Sequence, residues 1–358
     1  MGRRMGDKAI RAENVADKDR LDEDSLDAWM TDNVEGFAGL AAYTKFPGGQ
    51  SNPTYRIEDE AGKAYVLRRK PFGPLLPSAH AVDREYRVIK GLHPTGFPVA
   101  RPYALCEDDE IIGSAFYIME MVEGRTFWDG SLPDQSPRER SAIYRSMIGT
   151  LARLHGIDYE AAGLERHGKP GNYFERQITT WTKQYRLAQT DAIPEAEKLI
   201  DWLPQTVPEQ TRTSVIHGDY RIDNMIYAPD RPEVIAVLDW ELSTLGDPLA
   251  DFTYLAMNWA MEGAGTASLG GLDLTSTGIP TLDEATALYC QLTDRDGVPD
   301  LNWYFAYNLF RLVGILQGIK KRWLDGTASS PEAEERSKRV PQLAEAAWAF
   351  ARKAGARG

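Results

Sequence analysis

The sequence predicts an α+β fold of two lobes, a small β-rich N-lobe followed by a larger, helical C-lobe. Strand patterns around one helix dominate up to residue 122, and Glu123-Gly124 ends the last of them. From about residue 136, apolar residues recur at helical spacing, apart from one strand–loop–hairpin pattern. We therefore assign a flexible N-terminus, an N-lobe and a C-lobe to residues 1–20, 21–122 and 123–358.

The composition narrows the class of protein. Of 358 residues, 42% are hydrophobic, which is enough for a sizeable core. A net charge of −12 argues against nucleic acid as a partner. Cys106 and Cys290 form no CxxC motif, so we expect a reducing compartment and no zinc. Without an evident signal peptide or an apolar run of about 20 residues, we expect a cytoplasmic protein with no membrane partner.

The N-lobe pattern combines helices with strands. The first helix is predicted over Leu21–Asn33, with Asp24 as its candidate cap, and the second over Ser78–Leu92. Turn-forming glycines and prolines separate these elements. The predicted strands are the alternating stretch at Tyr55 and Ile57, Ala64–Arg68 and Ala115–Val122.

The C-lobe pattern predicts a series of helices around a short hairpin. Asp247 and Pro248 are typical of a helix start, as the cap and the first helical residue. Residues 261–280 are rich in Gly, Thr and Ser and indicate a mobile surface loop. The predicted helices are Ser141–His155, Tyr173–Thr190, Glu195–Leu203, the stretch from Pro248 to Trp259, Leu282–Leu292, Trp303–Trp323 and Glu332–Arg352.

The stretch from residue 214 to 241 contains the candidate chemistry. A short strand, Ser214–Ile216, leads into a loop, and two apolar runs around Ala228–Pro232 indicate a hairpin. The hairpin brings Asn224 and Asp239 to neighbouring strand ends, close to Asp219. Two carboxylates and one amide suit Mg²⁺, with one carboxylate to orient a nucleophile. The alternative is a core histidine and a turn aspartate without a catalytic role.

The motif His-Gly-Asp-x-x-x-x-Asn at residues 217–224, followed by Asp-Trp-Glu at 239–241, resembles a known family. It is similar to the aminoglycoside phosphotransferase and choline kinase branch of the protein-kinase-like fold. The resemblance implies ATP and Mg²⁺ as cofactors and Asp219 as the catalytic carboxylate. Asn224 and Asp239 are implied to be the Mg²⁺ ligands.

Residues near this motif have implied supporting roles. Arg221 stands where protein kinases have a phosphate-contacting lysine, and a solvent-exposed arginine is the alternative. His217 would support the loop structurally. Only eleven residues separate Asp239 from Asp251, too few for an activation loop, which favours a small-molecule acceptor. In such folds an aspartate at the position of Asp251 ties down the catalytic loop.

The same resemblance implies nucleotide contacts in the N-lobe. Arg68 stands where kinases have a phosphate-binding lysine, although Arg69 or Lys70 could reach the phosphates instead. Glu85 matches the carboxylate partner of that basic residue, and a solvated helix glutamate is the alternative. The turn over the phosphates, which alone could be an ordinary hairpin turn, comprises Gly48, Gly49, Gln50, Ser51 and Asn52. The hinge that would meet the adenine comprises Met119, Glu120, Met121 and Val122.

A narrower resemblance extends over residues 48–55, 76–85, 172–177, 240–251 and 310–318. These segments look like the kinase-like domain that precedes acyl-CoA dehydrogenase domains in some fatty-acid-catabolic proteins. The resemblance implies phosphorylation of a 4-hydroxyacyl-CoA or a related hydroxy acid thioester. It also implies an acyl-CoA dehydrogenase as a functional partner.

Candidate acceptor-binding residues lie in the helical lobe. Cationic and hydrogen-bonding side chains there could meet a CoA ester, beside aromatic residues that could line an apolar pocket. The alternative is that these side chains satisfy buried backbone groups or pack in the core. The candidates are Arg176, Tyr185, Arg311 and Gln317.

Two other functions remain open. An aminoglycoside or amino-alcohol kinase of the choline type would suit the acidic net charge. A pseudokinase module that binds nucleotide without turnover belongs to a different class, and the intact set of Asp219, Asn224 and Asp239 argues against it.

Overall fold

A six-stranded antiparallel sheet forms the N-lobe in the described part of the chain, with the order β1-β2-β3-β4-β6-β5. This computed structural model describes residues 10–11, 19–46, 52–71, 81–262, 267–328 and 332–357. The N-lobe elements are β1 (Ile10–Arg11), α1 (Glu23–Asn33), β2 (Leu40–Lys45), β3 (Thr54–Asp59), β4 (Ala64–Arg69), α2 (Val82–Leu92), β5 (Pro102–Cys106), α3 (Asp109–Ile112) and β6 (Phe116–Glu120).

The C-lobe contains most of the helices and two short two-stranded sheets, in which β7 pairs with β10 and β8 with β9. Its elements are α4 (Pro137–His155), α5 (Tyr173–Ala188), α6 (Pro194–Trp202), β7 (Ser214–Ile216), β8 (Met225–Tyr227), β9 (Val234–Val237), β10 (Thr244–Gly246), α7 (Leu249–Ala260), α8 (Leu282–Leu292), α9 (Leu301–Leu324), α10 (Ala333–Ser337) and α11 (Val340–Lys353).

The described residues form two buried clusters, and the larger one also takes in α2 side chains of the N-lobe such as Val88 and Ile89. Side chains from α1 and the sheet, such as Leu26, Ile57 and Phe116, form a small core. A larger cluster fills the C-lobe around α9, which packs against α5, α7 and α11. The predicted α+β fold of two lobes is confirmed. None of the described helices is long and apolar enough to cross a lipid bilayer.

Several element boundaries differ from prediction for local reasons. The cap of α1 is Asp22, which accepts from the Ser25 amide at 3.1 Å, so Asp24 is instead a first-turn acid. Pro248 precedes α7 rather than starting it, and the Asp247 side chain accepts from the Leu249 amide at 2.9 Å.

The helix predicted over Glu332–Arg352 is wrong as one element, because it is divided into α10 and α11. The proline at 341 falls in the first turn of α11, where its missing N–H costs no helical hydrogen bond. The prediction also missed β1, which falls within the N-terminus that we expected to be flexible, and β2, β5, α3 and β10. In β2, only Tyr43 is buried, so the strand lacks the alternation that would have revealed it.

Candidate active site

The catalytic loop, which we define as residues 217–224, is held between β7 and β8 by a buried carboxylate. Asp251, in the first turn of α7, accepts from the amides of His217 at 2.5 Å and Gly218 at 2.8 Å. Burial alone would raise the pKa of Asp251. Hydrogen bonds from His155, whose Nε2 lies 3.5 Å away, and from the His217 amide outweigh that effect and hold the pKa below its ordinary value.

Backbone geometry and side-chain contacts fix the rest of the loop. Gly218 has φ +86°, and a Cβ there would lie 2.6 Å from the Leu242 carbonyl oxygen, so only glycine fits. Arg311 donates to the Gly218 carbonyl at 2.7 Å. His217 accepts from the Asp219 amide through Nδ1 at 3.2 Å, which leaves Nε2 to donate to Leu238 at 2.8 Å. His217 therefore ties the loop to the end of the hairpin.

Asp219 lies at the centre of the loop with a partly exposed carboxylate. The side-chain nitrogen of Asn224 donates to the Asp219 carbonyl oxygen at 2.9 Å and to Asp219 Oδ2 at 3.2 Å. Arg221 lies between two acids, with its Nε 3.3 Å from Asp219 and its Nη2 3.1 Å from Asp223. The loop thus holds the predicted catalytic carboxylate and a cation side by side.

Asp239 has an unusual backbone conformation. Its φ is +64° at the start of a short 3₁₀ turn, and residues other than glycine rarely adopt such a positive φ. The Leu238 amide donates to the Asn224 carbonyl at 2.8 Å, which brings the two strand ends together. Sequence reasoning did not identify Glu241, although the Asp-x-Glu spacing could have signalled it. Its carboxylate lies 3.8 Å from Arg68 Nη2, the atom that also contacts Asp239.

These oxygens suit a divalent cation that is bound together with phosphate. Asn224 uses its nitrogen within the loop, which leaves its carbonyl oxygen available to a cation, and Asp239 and Glu241 add carboxylates. No cluster of three or more His, Cys, Asp or Glu residues in the described segments could hold a metal by itself. Mg²⁺ commonly takes only one or two protein carboxylates and completes its shell with phosphates and water, so the set fits it.

Arg68 links the N-lobe to this site. Its Nε lies 2.7 Å from Glu85, and its Nη2 lies 2.7 Å from Asp239. Glu85 also accepts from Asn52 at 2.6 Å and from Tyr117 at 3.1 Å. Burial raises the pKa of Glu85, and the charge of Arg68 partly opposes that shift. The expected basic–acidic pair is thus present, and it reaches across to the predicted metal ligand.

The neighbouring basic residue points elsewhere. Arg69 is fully buried on the other face of β4, where its guanidinium lies 5.9 Å from the Tyr55 ring centre and bonds the Ile112 carbonyl. Burial raises the pKa of Tyr55 to about 12. Arg68 is therefore the basic side chain that β4 presents to the site. Of the predicted phosphate turn, Asn52 is described and buried, whereas Gly48, Gly49, Gln50 and Ser51 lie outside the described residues.

The predicted hinge follows the end of β6. Met119 pairs with Val66 and Glu120 with Tyr65, while Met121 and Val122 lie just beyond the strand. The connector then joins the hairpin, since Arg125 and Tyr227 exchange two backbone hydrogen bonds of 2.8 Å.

The four candidate acceptor residues separate into two groups. Gln317 is buried and donates to the Ala188 carbonyl at 2.9 Å, and Tyr185 is buried in the core. Arg176 donates to the Lys169 carbonyl at 2.6 Å. These three thus have local structural contacts, as the structural alternative expected, whereas Arg311 lies against the catalytic loop.

Comparison with known proteins shows to which family this chain is similar. A model described as the phosphotransferase enzyme family matches residues 42–285. The chain is 47% identical over 315 residues to acyl-CoA dehydrogenase family member 10 of Mus musculus, and 39% identical over 346 residues to acyl-CoA dehydrogenase family member 11 of Rattus norvegicus. These matches cover 87% and 95% of this chain but 29% and 44% of the relatives, so the chain spans less than half of their length.

A solved structure is similar over nearly its whole length. It is described as a "putative aminoglycoside phosphotransferase" from Ralstonia eutropha and is 49% identical, with a TM-score of 0.85. The alignment covers 93% of this chain and 99% of that one.

Proposed function

The chain belongs to the phosphotransferase enzyme family, and from this premise we propose that it transfers the γ-phosphate of ATP to a hydroxyl group of a small molecule, with Mg²⁺ as cofactor. The observation that carries the proposal is the meeting of Asp219, Asn224 and Asp239 on one side with the Arg68–Glu85 pair on the other. This arrangement supplies a carboxylate for the acceptor, oxygen ligands for a cation and a guanidinium for phosphate.

The proposed chemistry assigns one task to each group. Asp219 orients the acceptor hydroxyl and takes its proton while the hydroxyl oxygen attacks the γ-phosphorus and ADP leaves. Asn224 and Asp239 would hold Mg²⁺, which would supply positive charge to the phosphates. Arg68 exchanges its contact with Asp239 for a phosphate oxygen, because a guanidinium binds carboxylate and phosphate with the same geometry. Arg221 supplies positive charge beside the carboxylate.

The favoured acceptor is a 4-hydroxyacyl-CoA or a related hydroxy acid thioester. The motifs shared with kinase-like domains support it, as do relatives whose names refer to acyl-CoA dehydrogenases. An acyl-CoA dehydrogenase is accordingly the proposed functional partner. The name of the Ralstonia eutropha neighbour keeps an aminoglycoside or amino-alcohol as the second candidate.

Replacing one carboxylate oxygen tests the catalytic role. We expect Asp219→Asn to lower kcat for phosphate transfer by about 10²–10⁴-fold, because a neutral amide cannot accept the hydroxyl proton. ADP formation would be measured with a panel of 4-hydroxyacyl-CoA esters and aminoglycosides. Asp230→Asn is the matched control, since Asp230 lies in the hairpin turn with 77% of its side chain exposed.

The outcomes distinguish the three functions. Acceptor-dependent ADP formation that is lost in Asp219→Asn but kept in Asp230→Asn supports the proposal. Turnover of aminoglycosides alone would replace the thioester with the second candidate. The third outcome is ADP formation at the same background rate in wild type and Asp219→Asn, with or without an acceptor. If ATP binding is intact, that outcome would mean that the chain is a non-catalytic nucleotide-binding module.

A further inference from the structure

Three side chains from three helices meet beside the catalytic loop. The Arg311 guanidinium of α9 lies 5.3 Å from the ring centre of Tyr254 in α7 and 5.8 Å from that of Trp181 in α5. Arg311 is 8% exposed, whereas both aromatic residues are partly exposed. We call this group the Trp–Arg–Tyr wall. It is formed by residues far apart in sequence, so no motif revealed it.

Contacts behind the wall hold it in a defined position. Arg311 donates to the Gly218 carbonyl at 2.7 Å, one residue before Asp219. The Trp181 indole donates to Gln177 at 3.1 Å, and a Cβ on Gly314 would lie only 3.3 Å from the indole ring. The wall is therefore rigid and stands next to the carboxylate at which an acceptor hydroxyl must arrive.

The electrostatics of Tyr254 support the same placement. Burial raises its pKa, and the negative charge of Asp219 raises it further, while Arg311 and Arg221 oppose the shift. The phenol thus lies within range of the catalytic carboxylate and of both arginines. One face of the wall consequently borders the acceptor position.

The arrangement of the three side chains gives the wall a preference for the charge of its ligand. Aromatic faces attract cations, and a pair of rings is a common site for a substrate ammonium. Here the guanidinium already lies against both rings, so an ammonium group would meet a like charge. The guanidinium of Arg311 has five N–H donors. Among the described residues, the carbonyl oxygen of Gly218 accepts one of them. The remaining donors suit a carbonyl or carboxylate oxygen of a ligand.

We propose that the Trp–Arg–Tyr wall selects the acceptor, accepting an uncharged or anionic acyl group through its carbonyl or carboxylate oxygen and rejecting ammonium compounds. This inference rests on the proposed function, since it states which class of hydroxyl compound the site takes. The rings of Trp181 and Tyr254 pack against the apolar part of the acyl group, and Arg311 holds its oxygen. Arg311 acts here as a specificity-determining residue.

Three acceptors and three variants test the selection. The acceptors are a 4-hydroxyacyl thioester of N-acetylcysteamine, which is uncharged, 4-hydroxybutyrate, which is anionic, and choline. Arg311→Gln removes the charge, Arg311→Lys keeps the charge without the planar fork, and Arg322→Gln on the exposed end of α9 is the matched control. Each protein is assayed for kcat/KM with all three acceptors and for equilibrium binding of the acceptors without ATP.

We expect wild type to prefer both acyl compounds to choline. In Arg311→Gln the ratio of acyl to choline kcat/KM should fall at least about tenfold, equal to 1.4 kcal/mol. Arg311→Lys should keep part of the preference and Arg322→Gln all of it. Because the loss of the Gly218 contact lowers the rate with every acceptor alike, the ratio isolates selection from loop support.

An unchanged ratio in Arg311→Gln, or stronger binding of choline than of acyl compounds to wild type, would overturn the inference. Acyl binding that depends on Arg311 without any phosphate transfer would leave the inference standing and refute the proposed function. The two claims therefore fail separately.

Discussion

At the scale of single residues, Arg68 contributes both to stability and to the proposed phosphate site. Its guanidinium contacts Glu85 of its own lobe and Asp239 of the other lobe, both at 2.7 Å. Glu85 is almost fully buried, so its charge depends on Arg68 for compensation. The pair therefore affects stability as well as phosphate binding.

Removing one member of this pair should destabilise the protein more than removing both charges. We expect Arg68→Met to lower the free energy of unfolding by about 3–5 kcal/mol, because it leaves a buried carboxylate without its cation. The double variant Arg68→Met/Glu85→Gln should regain part of that loss. Denaturant unfolding measures both, and a double variant no more stable than Arg68→Met would contradict the argument.

Arg56→Met on the adjacent strand is the control. Arg56 pairs with Glu58 at the surface, where both side chains are about one-third exposed. Since solvent screens such pairs, this change should cost less than about 1 kcal/mol.

Sequence reasoning reached residues whose role follows from local spacing. Asp219, Asn224 and Asp239 lie in one short stretch, and Asp251 ties down the loop in the way that the resemblance implied. Contacts between elements that are distant in the sequence could not be derived in this way. The pairing of Arg68 with Asp239 and the position of Tyr254 beside the loop belong to this second group.

At the scale of elements, a buried histidine outside both strands supports the pairing of β10 with β7. His167 Nε2 lies 3.0 Å from the Ser243 hydroxyl, which in turn donates to the Ile216 carbonyl at 2.8 Å. Burial lowers the pKa of His167 to about 4, with the charges of Arg84 and Arg87 acting in the same direction. Protonation of the imidazole would keep its Nε2–H donor, but it would place a charge in a buried site beside two arginines and so cost stability.

This histidine should make stability depend on pH in a defined window. Between about pH 6.5 and pH 4 the unfolded chain binds a proton that folded His167 excludes, so stability falls as the pH is lowered. The shift corresponds to about 3 kcal/mol across that window. In His167→Gln, the slope of the unfolding free energy against pH should decrease by up to one proton.

The remaining slope should come from other groups, including buried His155, whose pKa burial also lowers. His93→Gln is the control, because that side chain is exposed in the folded protein. Identical slopes in wild type and His167→Gln would rule out His167 as the source.

Elements with a clear pattern were predictable and short ones were not. The bounds of β7 and α8 agree with the prediction residue for residue. β10 has three residues and is recognisable only through its pairing with β7, which the sequence does not display. The pattern over residues 332–352 did indicate helix, but not the break between α10 and α11.

At the scale of the whole molecule, the predicted protein-kinase-like fold is confirmed by the family match and by the solved neighbour. The lobes are joined by a connector that passes very close to the hairpin. A Cβ on Gly124 would lie 2.3 Å from the Tyr227 carbonyl oxygen and 2.5 Å from the Ile226 side chain. The connector thus depends on the absence of a side chain at Gly124.

Two glycine substitutions should therefore have opposite effects. Gly124→Ala should lower the free energy of unfolding by about 1–3 kcal/mol, because the connector must move away from the hairpin. Gly149→Ala, in the middle of α4 with no atom within 4 Å of the added carbon, should raise it by up to about 1 kcal/mol. Denaturant unfolding of both variants checks this, and equal effects would show that the close approach is unimportant.

The bridge between Arg125 and Tyr227 also bears on how the protein would open and close. Tyr227 follows Asn224 by three residues, and Arg125 follows the hinge by three, so hydrogen-bonded backbone joins the adenine end of the proposed nucleotide site to its metal end. Rotation of the N-lobe sheet about the hinge would move Arg68 together with Met119 and Glu120 of β6, whereas Arg125 would stay bonded to the hairpin. The bridge thus sets the point on the connector beyond which the N-lobe can move relative to the metal end of the site.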